Sequence, residues 1–320
     1  VSLYDAIGLE DIEEKLPKRY VRFGEVTAGL SREMAGLTGL KEGIPVAGGG
    51  ADAYVGVVGV NALRPGQLAL ITGSSQLHIG LAETELHAPG LFGSFPDAIV
   101  PGAQVVEAGQ ISTGSIVKWF TANFISGETR ARAEAAGLPL YAYLDAEAAK
   151  IPPGSEGLVV LEHWQGNRTP WVDPSSRGVI RGLTLKHGPA HIFRAIMEGV
   201  VYGTKVILNK MEENFRIDEI ITCGGATKSG LWMQIHADVT GKPILIPGDQ
   251  DAVSLGSGIL GAVGAGFYPD LSAAAASMVR KGKTVEPDPA RTEIYREYVR
   301  QYEATYHCLK DESRRLVAAL

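Results

Sequence analysis

Three apolar runs in this 320-residue chain end in bends of small residues, and those bends hold much of its polar chemistry. Residues 44–47 lead into Gly48-Gly49-Gly50-Ala51-Asp52, residues 68–72 into Gly73-Ser74-Ser75, and residues 219–223 into Gly224-Gly225-Ala226. A short apolar run that stops at glycine reads as a buried strand. The stretches after the first and third bends carry helical spacing instead. A chain with this repeat is confined to α/β architectures whose strand ends open onto tight turns. Glycine fills 40 of the 320 positions, well above the usual ~7%, as close backbone approaches require.

The remaining periodicity fills in the order of elements. Leu30, Met34 and Leu37 predict a short amphipathic helix over 30–40, and 44–47 a buried strand. Strands are predicted at 68–72, 76–81 and 104–108, the first two forming a hairpin about Gly73-Ser74-Ser75. A helix starting near Gly109, Gln110 and Ser112 would put Ile116, Trp119, Phe120 and Phe124 on one face. Residues 126–187 are the least regular and read as an insertion with one helix near 140–149 and a structured loop, GNRTP at 166–170, between Trp164 and Trp171. Phe193, Ile196, Met197, Val200, Ile207, Leu208 and Met211 mark a long core helix. A strand at 219–223, a helix to about 241, a strand at 243–246 and a helix at 254–266 follow. Three antiparallel strands and then alternating helix and strand predict a mixed α/β sheet covered by helices. Residues 291–320 read as a charged helix, with Ile294, Tyr298, Tyr302 and Leu309 on one face, that packs against the outside of the domain.

Charge and cysteine count exclude several classes. A formal net charge of −6 argues against nucleic acid or an anionic membrane as the main partner. Two cysteines, Cys223 and Cys308, make no disulfide framework and no metal-ligand spacing, which points to a reducing, cytoplasmic setting. No apolar run reaches the ~18 residues of a membrane span. A dinucleotide-dependent dehydrogenase is disfavoured, because no glycine fingerprint with its distal acid follows a first parallel strand. His187 and His191 flank Gly188-Pro189 and read as a helix start rather than a metal pair.

The bends offer candidates with two readings each. Asp52 could accept a proton from an attacking hydroxyl, or could cap a helix. Gly73, Ser74 and Ser75 could offer amides and hydroxyls to phosphate, or form an ordinary hairpin turn. Gly224, Gly225 and the helix after them could take a flat or anionic ligand, or only connect strand to helix. Gly114 and Lys118 lie one turn apart on a helix, with Lys118 either free in solvent or near a ligand.

The order of motifs is more specific than any one of them. The glycine run ending at Asp52, then Gly73-Ser74-Ser75, GNRTP, RAIMEGVVYG at 194–203, CGGATKSGLWMQIHADVTGKPI at 223–244 and DAVSLGSGILGAVGAG at 251–266 together resemble the FGGY carbohydrate kinases over nearly the whole chain. EAGQISTGSIVKWF at 107–120 and GNRTP are similar to the branch acting on ribulose and related five-carbon sugars. The resemblance implies an actin-like, ribonuclease-H-like fold of two domains, with ATP, Mg²⁺ and sugar in the cleft between them. It implies Asp52 as the catalytic base, with Ala53 beside it at the sugar where glycerol kinases carry glutamine. Gly73, Ser74 and Ser75 match the phosphate turn, with serine at 74 where the family has threonine. Gly114 and Lys118 match positions along the nucleotide cleft. Gly224, Gly225, Ala226 and Ser229 match the adenosine-side turn and helix start.

The resemblance also sets expected boundaries: the end of an N-terminal domain over 1–60, the ATP-binding domain over 61–290 with its insertion near 126–187, and a helical appendage over 291–320. Most of a sugar-binding N-terminal domain is expected to precede residue 1, in cis or as a separate chain. The leading expectation is an ATP-dependent kinase of a pentulose or related polyol, as a monomer or homodimer. The alternative is a non-catalytic nucleotide-binding remnant with a regulatory or assembly role.

Overall fold

The computed structural model describes residues 3–86, 88–249 and 251–319. An N-terminal segment holds α1 (Leu3–Ala6), α2 (Ile12–Lys15), β1 (Val26–Gly29), α3 (Arg32–Thr38) and β2 (Pro45–Ala47), with β1 and β2 paired antiparallel. α4 (Asp52–Gly59) leads into β3 (Gly66–Thr72) and β4 (Gln76–Ala82), followed by β5 (Ser94–Pro96) and β6 (Gln104–Gln110). Then come α5 (Gly114–Asn123), α6 (Gly127–Ala135), α7 (Leu140–Ala148), β7 (Val159–Leu161), β8 (Val179–Arg181) and α8 (Pro189–Glu212). The chain closes with β9 (Ile217–Gly224), α9 (Gly230–Thr240), β10 (Ile244–Ile246), α10 (Ala252–Gly264), α11 (Leu271–Met278), β11 (Lys283–Val285) and α12 (Pro289–Ala318).

Seven strands form one sheet in the order β11-β10-β9-β3-β4-β6-β5. β10, β9 and β3 run parallel and the other neighbours antiparallel, so the sheet is mixed, as the order of elements predicts. Because side chains alternate along a strand, each face has its own core. Leu68, Leu70, Val106, Ala108 and Ile220 pack beneath α5, α7, α8, α9 and α12. Ala69, Ile79, Leu81, Val105 and Ile221 pack beneath α4, α10 and α11. α8 lies deepest, with Phe193, Ile196, Met197, Val200, Ile207, Leu208 and Met211 all buried at the predicted spacing.

Several segments differ from the sequence reading. β6 runs on to Gln110 and α5 begins only at Gly114, where carbonyls of the β3–β4 turn receive its first amides. Ile116, Val117 and Phe120 are buried on α5, whereas Trp119 turns outward to pack against Trp164 at 5.4 Å and Phe124 is exposed. The irregular stretch 126–187 supplies α6, α7, β7 and β8, and its residues Leu144, Ala148 and 158–161 belong to the core under α8. α12 buries Tyr295, Val299, Tyr302 and Tyr306, one step round from the expected face, and joins that same core. α3 and β2 are not buried: Met34, Leu37 and Val46 face outward.

α4 and α10 touch backbone to backbone. A Cβ on Gly59 would lie 1.7 Å from the Ala252 carbonyl oxygen, and one on Gly256 would lie 2.1 Å from that of Val55. Neither helix can accept a side chain there without moving. We therefore predict that Gly59→Ala destabilises the fold by about 1–3 kcal/mol through overpacking. Urea unfolding monitored by circular dichroism checks this, and an unchanged midpoint would refute it.

Candidate functional site

β3 and β9 are parallel neighbours, with Thr72 paired to Gly224, so the two bends that follow them emerge side by side. The Thr72 hydroxyl joins them: it donates to the Cys223 carbonyl at 2.6 Å and accepts from the Ala226 amide at 3.3 Å. Gly224 has φ +98° and would press a Cβ to 1.9 Å from the Thr72 carbonyl oxygen, so only glycine fits. A 3₁₀ turn over Gly225–Lys228 follows. Ser229 then caps α9, its hydroxyl oxygen accepting from the Trp232 amide at 3.0 Å.

The first bend is built against α5. The Gly73 carbonyl accepts from the Gly114 amide at 3.1 Å, and the Ser74 carbonyl accepts from the Thr113 amide and the Ser115 hydroxyl, both at 2.9 Å. The hairpin turn and the start of α5 are therefore one unit, which consumes the first amides of α5. The Ser74 and Ser75 amides have no partner among the described residues. These two N–H groups, rather than the α5 terminus, are the donors this corner can offer an anion.

Both bends open onto a cavity of about 980 Å³. One end is formed by Gly73, Ser74, Gly114 and Lys118, facing Gly225, Ala226 and Lys228. The other is walled by Pro139, Tyr141 and Ala142 from α7 and its approach, Phe193 and Met197 from α8, and Trp232 from α9. Asp145 on α7 and Ser229 on α9 add two polar groups to that apolar end. Burial raises the Asp145 carboxyl above the usual carboxylate range, and the Ser229 hydroxyl beside it works in the opposite direction. Such a chamber, amides and lysines at one end and apolar walls at the other, suits a molecule with a charged tail and a flat head.

Gly73, Ser74, Gly114, Lys118, Gly225, Ala226 and Ser229 thus come from three separate segments to one cavity. Ser75 and Gly224 shape the bends without lining it. Asp52 and Ala53 lie on α4, over the opposite face of the sheet, and also stand outside it. Ala51, not Asp52, is the N-cap of α4. Asp52 is the exposed first residue of the helix, with Oδ1 accepting from the Ala53 amide at 2.7 Å. Ala53 is buried beneath α4. Lys228, Tyr141 and Asp145 were not anticipated. Lys228 sits inside CGGATKSG and could have been singled out as a cation between two ligand positions. Tyr141 and Asp145 share a face of α7 at i, i+4, but their stretch offered no other pattern.

Trp164 and Trp171 are packed within the protein. Trp171 stacks on Tyr306 at 3.9 Å, and Asn167 and Asp173 exchange backbone hydrogen bonds of 2.9 Å across the GNRTP loop. Behind the loop, Glu162 accepts from Gln110 and Tyr302 at 2.7 Å each, and burial pushes its carboxyl up to about 7. Burial likewise pushes the His163 imidazole down to about 4. The His187 and His191 rings accept backbone amides at the start of α8, from Thr184 at 2.9 Å and from Gly188 at 3.2 Å.

Residues 68–265 match the FGGY family of carbohydrate kinases, C-terminal domain. The chain is 36% identical over 302 residues to a ribulokinase of Bacillus licheniformis, covering 92% of this chain and 55% of that protein. It is 32% identical to an FGGY carbohydrate kinase domain-containing protein of Xenopus laevis, covering 92% of this chain and 59% of that one. The crystal structure of a xylulose kinase from Rhodospirillum rubrum superposes with a TM-score of 0.80 at 28% identity, covering 98% of this chain and 61% of that one. A gluconate kinase from Lactobacillus acidophilus shares the fold, with a TM-score of 0.85 at 20% identity. The chain spans little more than half the length of these proteins.

Proposed function

The chain belongs to the FGGY family of carbohydrate kinases, and on that premise we propose that it is the nucleotide-binding half of an ATP-dependent kinase of a pentulose or related polyol. The observation that carries the reading is the cavity assembled at the ends of β3 and β9, lined by Ser74, whose amide has no partner among the described residues, by two lysines and by apolar walls. ATP supplies the phosphoryl group. The Ser74 amide with Lys118 and Lys228 would hold its phosphates, because transfer of this kind needs alignment and charge neutralisation more than covalent help. Asp52, one carboxylate oxygen of which has no partner among the described residues, would take the proton of the sugar hydroxyl. A sugar-binding N-terminal domain, in cis or as a separate chain, would bring that hydroxyl to it.

Mg²⁺ fits this scheme only as a passenger on the triphosphate. Among the described residues no group of three or more His, Cys, Asp or Glu side chains could hold a metal ion. No helix among them is long and apolar enough to cross a membrane.

Titration calorimetry of the chain with ATP and Mg²⁺ tests the site. We predict saturable binding that weakens about tenfold or more in Lys228→Ala and in Lys118→Ala, the loss of one charge-assisted contact each. Absence of binding, or full affinity in the double variant, would overturn the assignment. Turnover of ribulose or xylulose once the N-terminal domain is supplied separates a kinase from a nucleotide-binding remnant, which would bind ATP and never turn over.

A further inference from the structure

Among the described residues Asp145 is the one carboxylate lining the cavity, on the segment that also brings Pro139, Tyr141 and Ala142 to it. α7 places it one turn beyond Tyr141, beside Ser229 at the start of α9. The Ser229 oxygen already accepts from the Trp232 amide, which leaves the hydroxyl proton to point at another acceptor. Asp145 is that neighbour: burial raises its carboxyl, and the hydrogen bond from the Ser229 hydroxyl works against that rise. The Asp145 carboxylate joins no ion pair among the described residues. A half-buried carboxylate without a cation is costly to keep unless something it binds supplies a donor.

The apolar walls around it suit a flat ring, and a purine nucleotide laid with its phosphates on the two bends would put its base there. At the 6-position adenine carries an amine, a donor, whereas hypoxanthine and guanine carry an oxygen that a carboxylate repels. We infer that Asp145, oriented by Ser229, accepts a hydrogen bond from the exocyclic amine of adenine and so selects 6-amino over 6-oxo purine nucleotides. The inference rests on the nucleotide reading of this cavity and adds the residue that reads the base. A site built around such a contact rejects the analogue lacking it, because its own polar group is then left without a partner.

ITP and ATP differ only in the groups at and next to the 6-position, so calorimetry of the full chain with each, in Mg²⁺, isolates the contact. The wild-type chain is expected to prefer ATP by about tenfold to a hundredfold, the worth of one hydrogen bond to a charged group. Asp145→Asn is close to isosteric and can turn an amide N–H toward a 6-oxo group. It is expected to abolish or invert the preference while its melting temperature without nucleotide stays that of the wild type. Asp145→Ala should abolish the preference without inverting it. An ATP-to-ITP ratio unchanged in both variants overturns the role of Asp145 and leaves the nucleotide site standing. A wild-type preference for ATP over 2′-deoxy-ATP that disappears in Asp145→Asn overturns it too, by assigning the carboxylate to the ribose. If the wild-type chain binds neither ATP nor ITP, the nucleotide site itself fails and the inference falls with it.

Discussion

Asp52→Asn is expected to lower sugar phosphorylation by about 10²- to 10⁴-fold, the usual contribution of a general base, with ATP affinity unchanged. The assay is a coupled measurement of ADP release with ribulose or xylulose, with the sugar-binding domain in place. The two parts of the prediction have separate grounds. Asp52 stands outside the cavity, on the far side of the sheet from α7 and α8, so the substitution touches no nucleotide contact. Its free carboxylate oxygen is the group the variant loses as an acceptor, while the Ala53 amide can still be met by the asparagine carbonyl. Since Ala51 is the cap, little stability is at stake, and a loss of activity could not be ascribed to unfolding. Full turnover in Asp52→Asn would end the assignment of Asp52 as base.

The second large effect concerns stability. Glu198→Ala is expected to cost about 3–5 kcal/mol, because it strands a buried positive charge. Glu198 is fully buried on α8. One oxygen accepts from Arg194 at 2.8 Å, from Tyr295 at 2.8 Å and from the Gly154 amide at 3.0 Å, and the other from Ser155 at 2.7 Å. Arg194, also buried, donates to the Ala148 carbonyl at 3.1 Å. Burial opposes the Arg194 charge, and the Glu198 carboxylate beside it more than compensates. The pair thus joins the end of α7, the 154–155 turn, α8 and α12, and its loss leaves four donors unmatched. Chemical denaturation measures the cost. A double replacement, Arg194→Met with Glu198→Met, should recover part of it, since it removes both charges together. A cost below about 1 kcal/mol for Glu198→Ala, the level of an ordinary surface ion pair, would refute the argument.

How far the sequence could be read depended on how local each signal was. β3, β4, β9 and α8 were legible because their apolar positions are the buried ones, so apolar spacing and burial coincide. The two bends were legible for the same reason, and their meeting follows from the parallel pairing of β3 with β9. Residues 126–187 were opaque because their order comes from contacts distant in sequence. Leu158 and its neighbours are core under α8, Glu162 is satisfied by Gln110 and Tyr302, and Asp173 by Tyr306. No local pattern announces such a network. The apolar wall holding Asp145 was missed with it. The face of α12 was misjudged by one step because Tyr302 belongs to both stripes, and only the packing shows that Tyr295 and Val299 go inward while Ile294 does not. α3 and β2 show the converse: apolar spacing at Met34, Leu37 and Val46 without anything covering them among the described residues.

The seam where Gly59 meets Ala252 and Gly256 meets Val55 has a mechanical meaning. Main chain rests on main chain there, with no side chain between them to change rotamer, so the seam has no intermediate setting between seated and open. α4 and α10 must travel as one body, and Asp52 goes wherever α10 goes. If Asp52 is the proposed base, it acts as a fixed post carried by the two helices together.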